Sequence, residues 1–141
     1  MTSLVEIFGL VAVATVFGSM AFFSFVVAPL IFVKLAASNA AVFVRGIFPW
    51  YYVVIAALSL LAAAVLAALR PVEALLLAAV GLGSVLSRQV LMPRINHHRD
   101  RIKLGAPEAE RCFERLHRLS VWINGGQLAV AFAVLLLLAI R

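Results

Sequence analysis

Two polar side chains border long apolar stretches of this sequence, where charged or titratable groups are uncommon. Arg88 lies near the end of one apolar run, and His117 lies just before another. In a bilayer, a guanidinium can attract an anion, reach the membrane surface, or pair with a carboxylate such as Asp100 or Glu114. His117 can form a hydrogen bond inside a helix bundle. We therefore expect Arg88 and His117 to gate a solute path or to attract its cargo.

Other polar and aromatic groups mark the same apolar runs. Asn96, Ser120 and Asn124 flank or interrupt the most charged segment, and we expect them to hold the third and fourth helices together there. The remaining candidates for solute contact are Ser24, Phe25, Tyr51, Tyr52 and Gln127. Packing and hydrogen bonding between helices is the alternative role for these groups. For the two tyrosines, which follow Phe48 and Trp50, the alternative is an aromatic belt at the membrane surface.

Ligands for a metal or a cofactor are few. Glu114 and His117 form one Glu-x-x-His pair, whereas a di-metal bundle needs two such pairs and two further glutamates. A haem site needs two histidines at membrane depth, and no histidine lies within a predicted span. A soft-metal path needs several Met, Cys or His groups, yet only Met20 is deep in a span. We predict no metal site, no cofactor, no catalytic residue and no enzymatic activity.

The elements that position these groups follow from the composition. Of 141 residues, 65% are hydrophobic and 13% are charged, whereas soluble domains are about half apolar and about a quarter charged. A soluble enzyme, a disordered chain and a disulfide scaffold are therefore excluded.

A helix crosses a bilayer with roughly 20 apolar residues. The predicted fold is an all-α integral membrane protein, a single four-transmembrane-helix bundle over 1–141. The predicted spans are about 4–33, 46–69, 71–92 and 119–140.

The positive charges predict an orientation. All but two of the 12 Lys and Arg residues lie in or beside the connections after the first and third helices. The positive-inside rule then places loops 34–45 and 93–118 in the cytoplasm and both termini outside, in a plasma (inner) membrane. The net charge of +6 is explained by this topology and by anionic lipid, so we expect no nucleic-acid partner. No Lys or Arg precedes the first apolar run, so we expect a retained span there rather than a cleavable signal peptide.

The connection 93–118 has its own helical pattern. Pro93 is expected to kink or end the third helix. The run Gly105-Ala106-Pro107-Glu108 then predicts a break and a new helix start, since Gly favours helix ends and Pro favours first turns. A helix from about 107 to 140 spans about 50 Å, which exceeds the roughly 30 Å hydrocarbon core. We therefore expect helices 3 and 4 to extend into a charged cytoplasmic hairpin.

A set of short motifs runs along nearly the whole chain. They are Phe22-Phe23-Ser24-Phe25 with Ala28-Pro29-x-x-Phe32, Phe48-Pro49-x-Tyr51-Tyr52, Pro93-Arg94-Ile95-Asn96, and Phe113-x-x-Leu116-His117-x-x-Ser120 with Asn124. In this order they resemble the transmembrane-protein-205-like family of small four-helix membrane proteins, which is distantly similar to copper-resistance membrane proteins. The resemblance implies export or sequestration of a metal complex or a similar small solute.

Three functions stay open at this point. The first is a transporter in the lipid bilayer that exports metal complexes, chelates such as metal-siderophores or platinum-type drugs, or similar small amphipathic solutes. Transport would be passive or gradient-driven, because the sequence has no nucleotide-binding motif. Four helices enclose little space, so we expect a homo-oligomer with its site between subunits. The second function is a non-transporting scaffold or lipid-organising protein, and the third is a haem-binding redox protein.

Overall fold

The chain folds into four long helices joined by short turns. The computed structural model describes residues 4–140, and no strand occurs among them. Each helix is long and apolar enough to cross a membrane, which confirms the predicted four-helix transmembrane bundle. The helices are α1 (Leu4–Lys34), α2 (Ala37–Leu66), α3 (Pro71–Lys103) and α4 (Glu108–Ala139).

The bundle has two ends that differ in charge. The connections between α1 and α2 and between α3 and α4 lie at one end, which we call the basic end because most Lys and Arg residues are there. The turn 67–70 lies at the opposite end. There the guanidinium of Arg70 forms an ion pair with the carboxylate of Glu6 in α1, at 3.1 Å. α2 packs against α1 and α3, and α4 packs against the same two helices.

The apolar core fills the half of the bundle away from the basic end. Two clusters of buried side chains occupy it, and both are contributed by all four helices. Close packing there needs small residues, as at Gly81, where an added Cβ would lie 2.7 Å from the Leu60 Cγ atom. The larger core side chains are Val13, Leu66, Leu77 and Val134 in one cluster and Val16, Met20, Ile55 and Val80 in the other.

Helix α2 begins much earlier than the sequence predicts. Residues 34–45 were expected to form a loop, but the structure has only a two-residue bend at Leu35 and Ala36. The predicted loop is therefore wrong. Residues 37–45 contain neither Gly nor Pro, and polar residues that end an apolar run do not by themselves end a helix. As a consequence, Arg45 lies inside α2 and faces other helices.

The predicted hairpin is confirmed, although Pro93 does not end α3. Helix α3 continues to Lys103, Gly105 turns the chain with a positive φ of 84°, and α4 begins directly after Pro107. Arg101 and Glu108 form an ion pair across this turn. The polar end of α3 therefore packs along α4 as a continuous helical extension of the bundle.

Two helices widen just before a proline. Phe23–Val27 in α1 and Ser87–Leu91 in α3 form single π-helical turns, and Pro29 and Pro93 follow them. In each turn an N–H bonds to the carbonyl five residues earlier, as the Ala28 N–H does with the Phe23 carbonyl. A proline lacks the N–H and crowds the carbonyl one turn before it. The wide turn accommodates that defect without ending the helix.

Candidate functional site

A cavity of about 520 Å³ opens between the four helices at the basic end. The wall residues described here all belong to one chain, and the homo-oligomer with a site between subunits stays a prediction. The apolar core ends where this cavity begins, so the bundle is packed in one half and hollow in the other. The wall consists of Phe23, Ser24, Ala28, Phe32, Val44, Arg45, Phe48, Tyr51, Tyr52, Met92, Ile95, Asn96, Arg99, Phe113, His117, Ser120, Val121 and Asn124.

The floor of the cavity is a hydrogen-bonded bridge between three helices. The Tyr51 hydroxyl donates to Asn124 Oδ1 at 2.6 Å, and Asn124 Nδ2 donates to the Ser24 hydroxyl at 3.0 Å. Asn124 can make both bonds because its amide has a donor and an acceptor. The bridge joins α4 to α1 and α2, and it places hydroxyl and amide groups at the deepest level of the cavity.

Aromatic rings form one side of the cavity. Phe23 stacks on Tyr51 with ring centroids 4.4 Å apart, and Phe48 meets Phe23 edge-on at 5.3 Å. Tyr52 lies 5.5 Å from Tyr51 and extends the cluster. The π turn of α1 helps to form this cluster, because it carries both Phe23 and the floor residue Ser24. The clustered rings give this side of the cavity an apolar aromatic surface.

Two arginines line the cavity near its mouth. Arg45 bonds to Asp100 at 2.8 Å and to the Asn96 carbonyl at 3.3 Å, so α2 is tied to α3. Arg99 is partly buried in the wall, and no ion pair or hydrogen bond is described for it within residues 4–140. The mouth therefore carries two guanidinium groups beside one carboxylate, that of Asp100, which bonds to Arg45 and also interacts electrostatically with Arg99.

His117 belongs to the part of the cavity wall that α4 contributes. Its ring is parallel to that of Phe113, with centroids 5.9 Å apart, and its carbonyl accepts a hydrogen bond from the Ser120 hydroxyl. In the part of the chain that is described, no three His, Cys, Asp or Glu side chains are grouped as metal ligands. The cavity offers a soft metal only His117 and Met92. It is therefore better suited to an organic molecule than to a bare ion.

The structure brings seven of the ten predicted site residues into this wall. They are Ser24, Tyr51, Tyr52, Asn96, His117, Ser120 and Asn124. We had expected Asn96, Ser120 and Asn124 to join α3 to α4. The hydrogen bonds described for these residues do not do so. Asn124 bonds to α1 and α2, Ser120 bonds within α4, and Asn96 accepts from α2.

Three predicted residues lie elsewhere. Phe25 is 71% exposed on the outer face of α1, because successive side chains along the π turn point to different faces of the helix. Gln127 is buried and donates to the Val80 carbonyl at 2.9 Å, which places it in the packed half of the bundle. Arg88 lies one turn deeper than Met92 and outside the wall, and its Nε atom is buried without a described partner.

Sequence reasoning missed the two arginines and most of the aromatic wall. Arg45 and Arg99 were counted only as charges that set the orientation. A helical signal was present for both, since Arg45 lies two turns before Tyr52 and Arg99 lies one turn after Asn96. Phe23 and Phe113 belonged to motifs but had no assigned role. The face on which Phe23 lies depends on the π turn of α1, which the sequence did not predict.

Comparison with known proteins identifies one family. Residues 11–103 match the model of a family described as a domain of unknown function, DUF4149. This match covers more than half of the chain and includes most of α1, all of α2 and all of α3. Neither the curated proteins nor the solved structures include a match to this chain.

Proposed function

We propose that this chain, which belongs to the DUF4149 family, is a membrane transporter that binds a small amphipathic solute in its cavity and exports it. The observation that carries the proposal is the cavity itself, which combines stacked rings, a polar floor and arginines at the mouth. Pockets of several hundred Å³, apolar with a few placed polar groups, are typical of sites for small organic ligands.

The orientation of the bundle gives the direction of transport. By the positive-inside rule, the basic end faces the cytoplasm and both termini lie outside. The cavity then takes up its solute from the cytoplasmic side. Because the sequence has no nucleotide-binding motif, movement is passive or coupled to a gradient. The similarity to the transmembrane-protein-205-like family stays a prediction, and it agrees with export of this kind.

Among possible cargoes, the composition of the wall favours a chelated metal over a bare metal ion. A bare soft metal is best held by several thiolate, thioether or imidazole groups, and the wall has one imidazole and one thioether. A chelate presents an organic shell instead, which can stack on Phe23 and Tyr51. The volume of about 520 Å³ favours small chelates, such as platinum-type drugs, over large metal-siderophore complexes.

One observation favours a second candidate, a non-transporting lipid-organising scaffold that holds its ligand at the basic end. Below the floor, Val13, Leu66, Leu77 and Val134 are fully buried in one apolar cluster. A solute that crosses the bundle requires these side chains to separate, either by rearrangement of α1 and α4 or at a homo-oligomer interface. A protein that only binds its ligand needs no such motion.

The experiment that tests the proposal measures flux through sealed proteoliposomes of known orientation. The panel contains metal chelates, their free ions and a neutral aromatic solute. Export of chelates without free ions supports the transporter, whereas saturable binding without flux supports the scaffold. Folded protein that neither binds nor moves any member of the panel refutes both.

A pair of phenylalanine variants tests whether the cavity is the site. F23L removes a ring that stacks in the wall, and F25L removes a neighbouring ring that faces away from it. An aromatic pair contributes about 0.5–1.5 kcal/mol beyond its buried area. F23L should therefore weaken binding of an aromatic solute by several-fold, and F25L should leave it unchanged. Equal effects would place the site elsewhere.

A further inference from the structure

We propose that the ligand is an anionic amphiphile, which enters the cavity from the lipid leaflet and pairs its acid group with Arg99. This inference rests on the proposed binding function and adds to it the charge of the ligand and its route. It is carried by the placement of charge in the wall and by a gap between two helices.

The charge argument starts from the wall residues. No Asp or Glu is among the residues that line the cavity. Asp100, just outside the wall, bonds to Arg45, whereas the described residues provide no ion pair for Arg99. The carboxylate of Asp100 interacts electrostatically with Arg99 but forms its hydrogen bond with Arg45, so the Arg99 guanidinium still has its donors available, and a carboxylate, sulfonate or phosphate can accept two parallel hydrogen bonds from it. Arg99 is therefore positioned to receive an acid group.

The shape of the cavity indicates the length and polarity of the rest of the ligand. Arg99 lies seven positions after Met92, the wall residue of α3 that is farthest from the basic end, and seven positions of helix correspond to a depth of about 10 Å. Along this depth the wall presents the Phe23 and Tyr51 rings, and the floor presents the hydroxyl and amide groups of the bridge. A molecule with one acid head and a flat apolar body about 10 Å long fits this arrangement.

The route follows from a lateral opening between α1 and α4. Beyond the π turn, residues Ala28–Lys34 of α1 pack against α2, and no comparable packing against α4 is described for them. Phe32 of α1 and Val121 of α4 line the cavity from its two sides, yet they are 61% and 57% exposed. The cavity therefore opens sideways, where apolar residues of both helices would meet lipid. A ligand dissolved in that leaflet can enter without leaving the membrane.

Two probes with nearly the same rings test the charge. Anilinonaphthalene sulfonate carries an acid group, and N-phenylnaphthylamine is uncharged. Both are titrated by fluorescence against the full chain in phosphatidylcholine nanodiscs, with empty nanodiscs as background. We expect the sulfonate to bind at least about tenfold more tightly, as a charge-assisted bond predicts. Equal affinities would overturn the anion proposal and leave the binding function standing, whereas binding of neither probe would count against the binding function itself.

A matched pair of arginine variants assigns the effect to one residue. R99Q removes the charge in the wall, and R94Q removes an exposed charge from the same helix outside the wall. R99Q should abolish the preference for the sulfonate, and R94Q should retain it. A similar loss in both variants would show a general surface charge effect and would overturn the role of Arg99.

Competition identifies the source of the acid group. Displacement of the sulfonate probe by soluble naphthalene sulfonate indicates a free organic acid. Displacement by phosphatidylglycerol added to the nanodisc indicates a lipid headgroup. Either result supports an anionic head, and displacement by neither contradicts it.

The route is tested by blocking the opening with a bulky side chain. V121W places a ring between α1 and α4, whereas V33W places one on the outer face of α1, where Val33 is 76% exposed and outside the wall. In stopped-flow mixing, V121W should slow association of the sulfonate probe by several-fold, and V33W should leave the rate unchanged. Unchanged rates in both variants, with V121W folded, would mean that the ligand enters from water.

Discussion

The hydrogen-bond bridge at the cavity floor can be tested by removing the side chain that makes it. In N124A, the hydroxyl groups of Tyr51 and Ser24 each lose their described partner on α4. Hydrogen bonds between membrane helices average about 0.6 kcal/mol and reach about 1.7 kcal/mol. Loss of two such bonds should lower the free energy of unfolding by about 1–3 kcal/mol, the sum of two values in that range.

The assay is unfolding by sodium dodecyl sulfate in mixed micelles, followed by helix content. The control is N39A, since Asn39 is exposed on α2 and no hydrogen bond is described for its side chain within residues 4–140. A double-mutant cycle of Y51F and N124A should give a coupling energy of about 0.5–1.5 kcal/mol. Additive effects in the cycle, together with an N124A variant as stable as N39A, would refute the bridge as a stabilising contact.

Two further predictions concern packing and charge. G81A should unfold about 1–3 kcal/mol more easily than G18A, because a Cβ at Gly81 meets Leu60 at 2.7 Å while one at Gly18 meets open space. The gain in helix propensity is common to both variants, so equal stabilities in thermal unfolding would contradict close packing at Gly81. D100N should strengthen binding of the anionic probe by a few-fold, because it leaves Arg45 uncompensated at the mouth. Binding of the neutral probe is the control, and an equal change for both probes would contradict the electrostatic explanation.

The fold was largely predictable, because a long apolar run in the sequence predicts a membrane helix. Four runs gave four helices, and the Gly105 turn with its following proline gave the hairpin. The start of α2 was not predictable from hydropathy, since residues 37–45 are helical but too polar in part to count as a span. Hydropathy reports where a helix can lie in lipid, and it says little about where the helix begins.

The candidate site was predictable in its residue types but not in its geometry. Ser24, Tyr51 and Asn124 stood out singly as polar groups in apolar runs, and nothing in their spacing showed that they meet. Their contacts depend on the relative rotation of three helices, which the π turn changes locally. Arg99 was overlooked because a charge count assigns every basic residue to the membrane surface, whether or not it faces a cavity.

The π turn in α3 also determines how the chain responds to a change in length. In a π turn the backbone hydrogen bond joins residues that are five positions apart, whereas in an α-turn they are four apart. A π turn therefore holds one residue more than an α-turn. Deletion of a single residue within Ser87–Leu91 would convert the π turn into an α-turn and leave the helix after it at nearly its present rotation. Deletion of a residue from the α-helical part that follows, such as Arg94, would instead rotate Asn96 and Arg99 by about 100°, away from the cavity. The π turn is therefore the segment of α3 that can lose one residue while the basic end stays in phase with the apolar core.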